Sequence, residues 1–161
     1  MNETPLSNRA NAKWDRGDDA GALELFRLAA EKGEIDAFNS IGYFYDHGIG
    51  VAQDRDKAFF WYKKAARHGA IVSYKNIGLC YKEKGNIKRA KIWLRKALFA
   101  HETPKRKLLD GEAAYELAKI YLENRTARSK KHCIYYLKLA LTTDNITDDS
   151  REKVELLIMA I

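Results

Sequence analysis

Reactive chemistry in this chain would have to come from four histidines, two cysteines and one glycine-rich run. The run, GYFYDHGIGV from Gly42 to Val51, holds three glycines, three aromatics, an acid and a histidine. Glycines at that density can cradle a phosphate, but a phosphate loop follows a strand and opens a helix, and here the preceding residues have helical spacing. The glycines are therefore assigned to the fold. His47, His68, His101 and His132 form no His-x-x-x-His or Glu-x-x-His pair, and Cys80 and Cys133 lie too far apart for a Cys-x-x-Cys motif. Asp18-Asp19 opens a helix, where acids suit the positive end of the dipole. No Ser–His–Asp arrangement and no paired carboxylates emerge. The expectation is a non-catalytic chain with no cofactor and no metal site.

The elements that position these residues repeat. Shifting the sequence by 36 residues lays Gly33 on Gly69, Gly42 on Gly78, Tyr45 on Tyr81, Ala22 on Ala58 and Ala29-Ala30 on Ala65-Ala66. A fixed period of this size marks stacked supersecondary units. A shorter version recurs as Ala10-x₆-Gly17-x₄-Ala22 and Gly78-x₆-Gly85-x₄-Ala90. Ala118, Tyr121, Cys133, Tyr136 and Ala140 keep the frame in a worn fourth copy. Each unit reads as two helices, Ala37, Ile41, Gly42, Phe44 and Tyr45 marking a first and Ala58, Trp61, Tyr62, Ala65 and Ala66 a second. Gly42 and Gly78 fall mid-helix, where Gly costs roughly 1 kcal/mol against Ala, so close helix–helix contact is expected there. Gly48 and Gly50 are expected in a turn with positive φ, and Gly33 and Gly69 as C-caps. Cys80 and Cys133 align with packing positions and read as buried structural thiols.

On these residues the stretch DAFNSIGYFYDHGIGVAQDRDKAFFWYKKAARHG, residues 36–69, closely resembles a Sel-like repeat (SLR), the glycine-rich relative of the tetratricopeptide repeat (TPR). Residues 5–33 and 70–101 resemble shorter, TPR-like copies, and 111–143 a degenerate one. The resemblance implies an all-α, right-handed α-solenoid of about four helix hairpins (5–33, 35–69, 70–101 and 111–143) in a single domain. A capping helix over 147–161 would bear Val154, Leu157, Ile158 and Ile161 as an apolar stripe. It also implies that first helices line a concave face that binds a protein or peptide. Its groove positions map onto Asn11 and Trp14; Asn39, Tyr43 and His47; Lys75, Leu79 and Lys82; and Tyr115 and Lys119. Ser7, Asp36, Asp46, Glu112 and Glu123 fall on the same face. Lys75, Lys82 and Lys119 would clamp carboxylates of the partner. The implied role is an adaptor or scaffold; the alternative is a dedicated bacterial immunity protein or chaperone for a toxin or effector.

Charge supplies a weaker alternative. The net charge is +7. Residues 1–81 balance to zero, 82–138 net +10, and 139–161 net −3. Lys88, Arg89, Arg95 and Lys96 are expected to face solvent on a second helix, with Lys105, Arg106 and Lys107 and then Arg128, Lys130 and Lys131 in nearby basic loops. Such a patch could bind nucleic acid, but Trp93, Tyr135 and Tyr136 are expected to pack inward and leave no stacking platform. No segment is long and apolar enough to span a bilayer, the polar N-terminus contains no apolar signal segment, and a cytoplasmic location is expected. Thr4-Pro5 is expected to cap a first helix, Asp54 the second helix of the best repeat, and Thr147 the last helix. Thr103-Pro104 is a further candidate helix start, and 102–110 departs from the repeat frame.

Overall fold

The computed structural model describes residues 4–100, 109–123, 126–143 and 146–161. Among these, nine helices follow in order: α1 Leu6–Trp14, α2 Asp19–Glu31, α3 Ile35–His47, α4 Arg55–Arg67, α5 Ser73–Glu83, α6 Ile87–Leu98, α7 Gly111–Leu122, α8 Ala127–Leu141 and α9 Asp148–Ala160. The chain divides into two compact units, Met1–Asn76 and Ile77–Ile161, and the division falls within α5.

In the first unit α1 packs on α2, α2 on α3 and α3 on α4. Small residues let the backbones approach. Ala10, Ala22, Ala29, Ala37, Ala58 and Ala65 are wholly buried, and Phe26, Ile41, Phe44 and Tyr62 fill the space between them. Gly42 is one close approach of α3 to α4, since a Cβ there would lie 2.7 Å from the Tyr62 ring. The second unit repeats the device. A Cβ on Gly78 of α5 would meet Leu94 of α6 at 2.8 Å. There α6 packs on α7, α7 on α8, and α9 closes against both α7 and α8.

The glycine run ends α3 and turns the chain into α4. Gly48 is left-handed at φ 68°, and the next amide, Ile49 N–H, donates to the Phe44 carbonyl. Gly50 has φ 62°, and a Cβ there would lie 2.7 Å from the Asp19 backbone at the start of α2. Both glycines thus serve a turn that only a residue without Cβ fits. Gly33 and Gly69 also have positive φ, but each lies one residue past the C-cap, after Lys32 and His68.

Most helices start on a side-chain cap. Asp18, Asp54, Asn86, Asp110, Thr126 and Thr147 each accept from the backbone N–H three residues on. The expected Thr4 cap does not form: Pro5 holds the cap position and makes no side-chain bond. Glu34, which opens α3, substitutes for it. Its carboxylate accepts from Leu6 N–H at 2.9 Å, Ser7 N–H at 2.8 Å and the Ser7 hydroxyl at 2.6 Å. Glu112 of α7 likewise takes Thr147 N–H at 2.8 Å, the Thr147 hydroxyl and the Ser150 hydroxyl at the start of α9. Of the expected α9 stripe only Val154 is fully buried; Leu157, Ile158 and Ile161 are half-buried. Thr103-Pro104 lies outside the described residues.

Two contacts tie neighbouring hairpins in the same way. Arg27 of α2 donates to the Tyr45 hydroxyl of α3 at 2.8 Å, and Arg95 of α6 donates to the Tyr121 hydroxyl of α7 at 2.7 Å. Each arginine lies five residues past a repeat alanine, Ala22 or Ala90.

Candidate functional site

The first unit brings Trp14, Tyr43 and His47 together. The last residue of α1 sets the Trp14 ring 5.7 Å from Tyr43, and one helical turn on, His47 stacks on Tyr43 at 4.0 Å. His47 Nδ1 lies 3.0 Å from the Tyr43 carbonyl oxygen, which fixes the imidazole at the helix end. Trp14 is anchored from below by Phe44, at 5.3 Å between ring centres. Trp14 is nonetheless 37% exposed and Tyr43 36%, and His47 and Asn11 are exposed beside them. Three rings in a row form a rigid, amphipathic surface of the kind that anchors interfaces at low entropic cost.

Other residues of the same expected face are engaged within the unit. The Asn39 side-chain carbonyl accepts from the Ser73 hydroxyl at 2.9 Å and from Asn76 Nδ2 at 3.3 Å. Ser7 is buried against Glu34. Asp46 accepts from the Tyr62 hydroxyl at 3.3 Å. Lys75 is half-buried and Asp36 exposed.

In the second unit two of the three expected clamp lysines, Lys82 and Lys119, already hold a carboxylate. Lys82 Nζ lies 3.2 Å from Glu116 Oε2, and Lys119 pairs with the other oxygen of the same group. Glu116 was not foreseen, although it sits three residues before Lys119, a spacing that places both on one helix face. Tyr115 is not an exposed contact: it is 9% accessible, with the Lys119 ammonium 4.8 Å from its ring centre. Its neighbours Ala113, Ala114 and Leu117 are buried with it, so this turn of α7 faces the interior. Leu79 and Lys82 border a pocket of about 350 Å³ with Glu83, Ile87 and Glu123.

The basic residues divide. Lys88, Arg89, Lys96, Arg128, Lys130 and Lys131 are exposed, and Lys105, Arg106 and Lys107 lie outside the described residues. Arg95 is exposed as expected, but its guanidinium is also engaged: it donates to the Tyr121 hydroxyl and to the Tyr136 hydroxyl at 3.0 Å. Tyr136 is buried and Trp93 half-buried, but Tyr135 is 55% exposed, against the expectation that all three pack inward. The helical period explains it. With Cys133, Tyr136 and Leu137 buried, position 135 lies about 200° from Cys133 and faces out.

Both thiols are buried, and burial pushes the Cys133 thiol above its ordinary pKa. Among the described residues no three His, Cys, Asp or Glu side chains gather to hold a metal ion, and no helix is long and apolar enough to cross a membrane.

Residues 15–34, 38–69, 75–98 and 111–142 match the Sel1 repeat. Chitin synthase regulatory factor 3 of Schizosaccharomyces pombe is 34% identical over 111 residues, 66% of this chain and 11% of that protein. The ERAD-associated E3 ubiquitin-protein ligase component HRD3A of Arabidopsis thaliana is 31% identical over 75 residues, 46% of this chain and 11% of that protein. The chain thus spans a small part of the length of such curated relatives. The crystal structure of a Sel1 repeat protein from Oxalobacter formigenes superposes with a TM-score of 0.70 at 23% identity, over 96% of this chain and 59% of that one. That likeness gives the fold, an all-α helical solenoid. The chain belongs to the Sel1 repeat family, whose repeats are generally non-catalytic protein-interaction scaffolds.

Proposed function

We propose that this Sel1-repeat chain is a non-catalytic adaptor that binds a peptide or protein through the first-helix face of its N-terminal unit, at Trp14, Tyr43 and His47. One observation carries the reading: three contacting rings held at the surface by α1 and α3, all of them exposed. Asn11 beside them supplies hydrogen-bonding groups suited to an extended backbone. In the other unit, the Lys82–Glu116–Lys119 cluster supports a carboxylate-reading role, in which a partner's acid would take the place of Glu116.

The test is a quantitative pull-down from the native cell, nuclease-treated, with the wild type and the variants Tyr43→Ala and His47→Ala. Loss of a bound protein with either variant supports the reading. Equal recovery with all three proteins, or recovery abolished by the nuclease, overturns it. A single stoichiometric partner that survives a high-salt wash would mark a dedicated immunity or chaperone role. Several salt-sensitive partners would mark an adaptor.

A further inference from the structure

Helices α6 and α8 carry five and four Lys or Arg residues and neither Asp nor Glu. Both lie within Ile77–Ile161, and the Arg95–Tyr136 bond joins them. Between them opens a pocket of about 400 Å³ lined by Arg95, Lys131, His132, Tyr135 and Tyr136. The cations crowd one another. Lys91, whose ammonium lies 4.0 Å from the Tyr121 ring centre, is held below the usual lysine pKa, first by burial and then by the charge of Arg95. An anion would relieve that repulsion.

Two large apolar side chains are exposed on these helices, Tyr135 lining the pocket and Ile92 one helical turn before Arg95. Ile92 is 56% and Tyr135 55% accessible, and they occupy the same place in the repeat, two residues beyond Ala90 and Cys133. Cations set around exposed apolar groups match a partner surface with the opposite charge and a matching apolar anchor.

We propose that the α6–α8 face is a second binding surface, separate from the Trp14–Tyr43–His47 face, that takes an acidic segment of a protein partner. Its carboxylates pair with Lys131 and the outer edge of Arg95, and an apolar side chain rests on Tyr135 and Ile92. This rests on the reading of the chain as a protein-binding module. The face favours an acidic peptide over a nucleic acid because single-stranded nucleic acid needs successive rings to stack on. Here Tyr136 is only 6% exposed, the half-buried His132 is already stacked on Tyr121, and Ile92 has no π face, which leaves Tyr135 as the exposed ring among the residues that line the pocket.

The experiment is fluorescence anisotropy with a labelled peptide of alternating glutamate and leucine, its glutamine counterpart, and oligothymidylate. The glutamate peptide binds the wild type, more weakly as salt rises. Lys131→Glu weakens it about tenfold and Tyr135→Ala by about threefold or more, while Lys131→Arg retains it. The N-terminal face is read separately, by the Tyr43→Ala pull-down, so failure of that face and failure of this one are told apart. Circular dichroism melts confirm folding, and both substituted side chains are exposed. The proposal is overturned if the glutamate peptide fails to bind, if the glutamine peptide binds equally, or if Lys131→Glu has no effect. Tighter binding of oligothymidylate, lost in Lys131→Glu and Tyr135→Ala, would make the face a nucleic-acid surface instead.

Discussion

The Ser7 hydroxyl donates a 2.6 Å hydrogen bond to Glu34, so α1 is capped by a carboxylate at the start of α3. Removing that acceptor in Glu34→Ala is expected to cost about 1–2 kcal/mol, as for loss of a helix cap together with a side-chain hydrogen bond. Chemical denaturation of wild type and variant measures it.

The same carboxylate predicts a pH dependence. The Ser7 hydroxyl above all, then the Ser7 and Leu6 amides, holds Glu34 below the usual glutamate pKa. The ionised form is thus favoured in the folded state. Its contribution is fully present above the unfolded value of about 4.3 and disappears as pH falls through the lower folded value. Melting temperature should therefore drop less in Glu34→Gln than in wild type as pH is lowered through that range.

Gly42→Ala places a methyl group against the ring of Tyr62, which is 1% exposed and has nowhere to move. A loss of about 1–3 kcal/mol is expected despite the better helix propensity of alanine. Gly78→Ala should behave alike, because its methyl meets Leu94 near the backbone. Unchanged melting temperatures in both would disprove the close-approach account.

Arg95 reaches two hydroxyls with one guanidinium, Tyr121 and Tyr136. A lysine offers no planar fork, so Arg95→Lys should not restore what Arg95→Ala loses. A double-mutant cycle of Arg95→Ala with Tyr121→Phe should give a coupling of about 0.5–1.5 kcal/mol.

Cys80 and Cys133 should react slowly with Ellman's reagent in the native protein and promptly once it is unfolded, since both are buried. A fast-reacting native thiol would contradict the packing of α5 or α8.

Much of the fold was legible because it is periodic. The shift that superposes Gly42 on Gly78 located the hairpins, and the Asp54 and Thr147 caps follow from local chemistry. What stayed hidden runs between repeats. Glu34 serves Ser7 from 27 positions away, and Glu116 holds Lys82 from 34. Spacing along one helix cannot reveal such partners. Hence several expected groove residues changed role: Ser7 became internal, Tyr115 turned inward, Asn39 and Glu112 took partners within the chain, and Lys82 and Lys119 came to share Glu116. Tyr135 erred in the other direction, because adjacent tyrosines share a composition but not a helix face.

The Arg27–Tyr45 and Arg95–Tyr121 bonds, like the glutamate caps on α1 and α9, each begin in one hairpin or helix and end in the next. Excised alone, each hairpin involved would expose a donor or acceptor that its neighbour normally completes. Order gained by one therefore lowers the cost of ordering the next, and cutting the chain inside a repeat pair wounds both fragments.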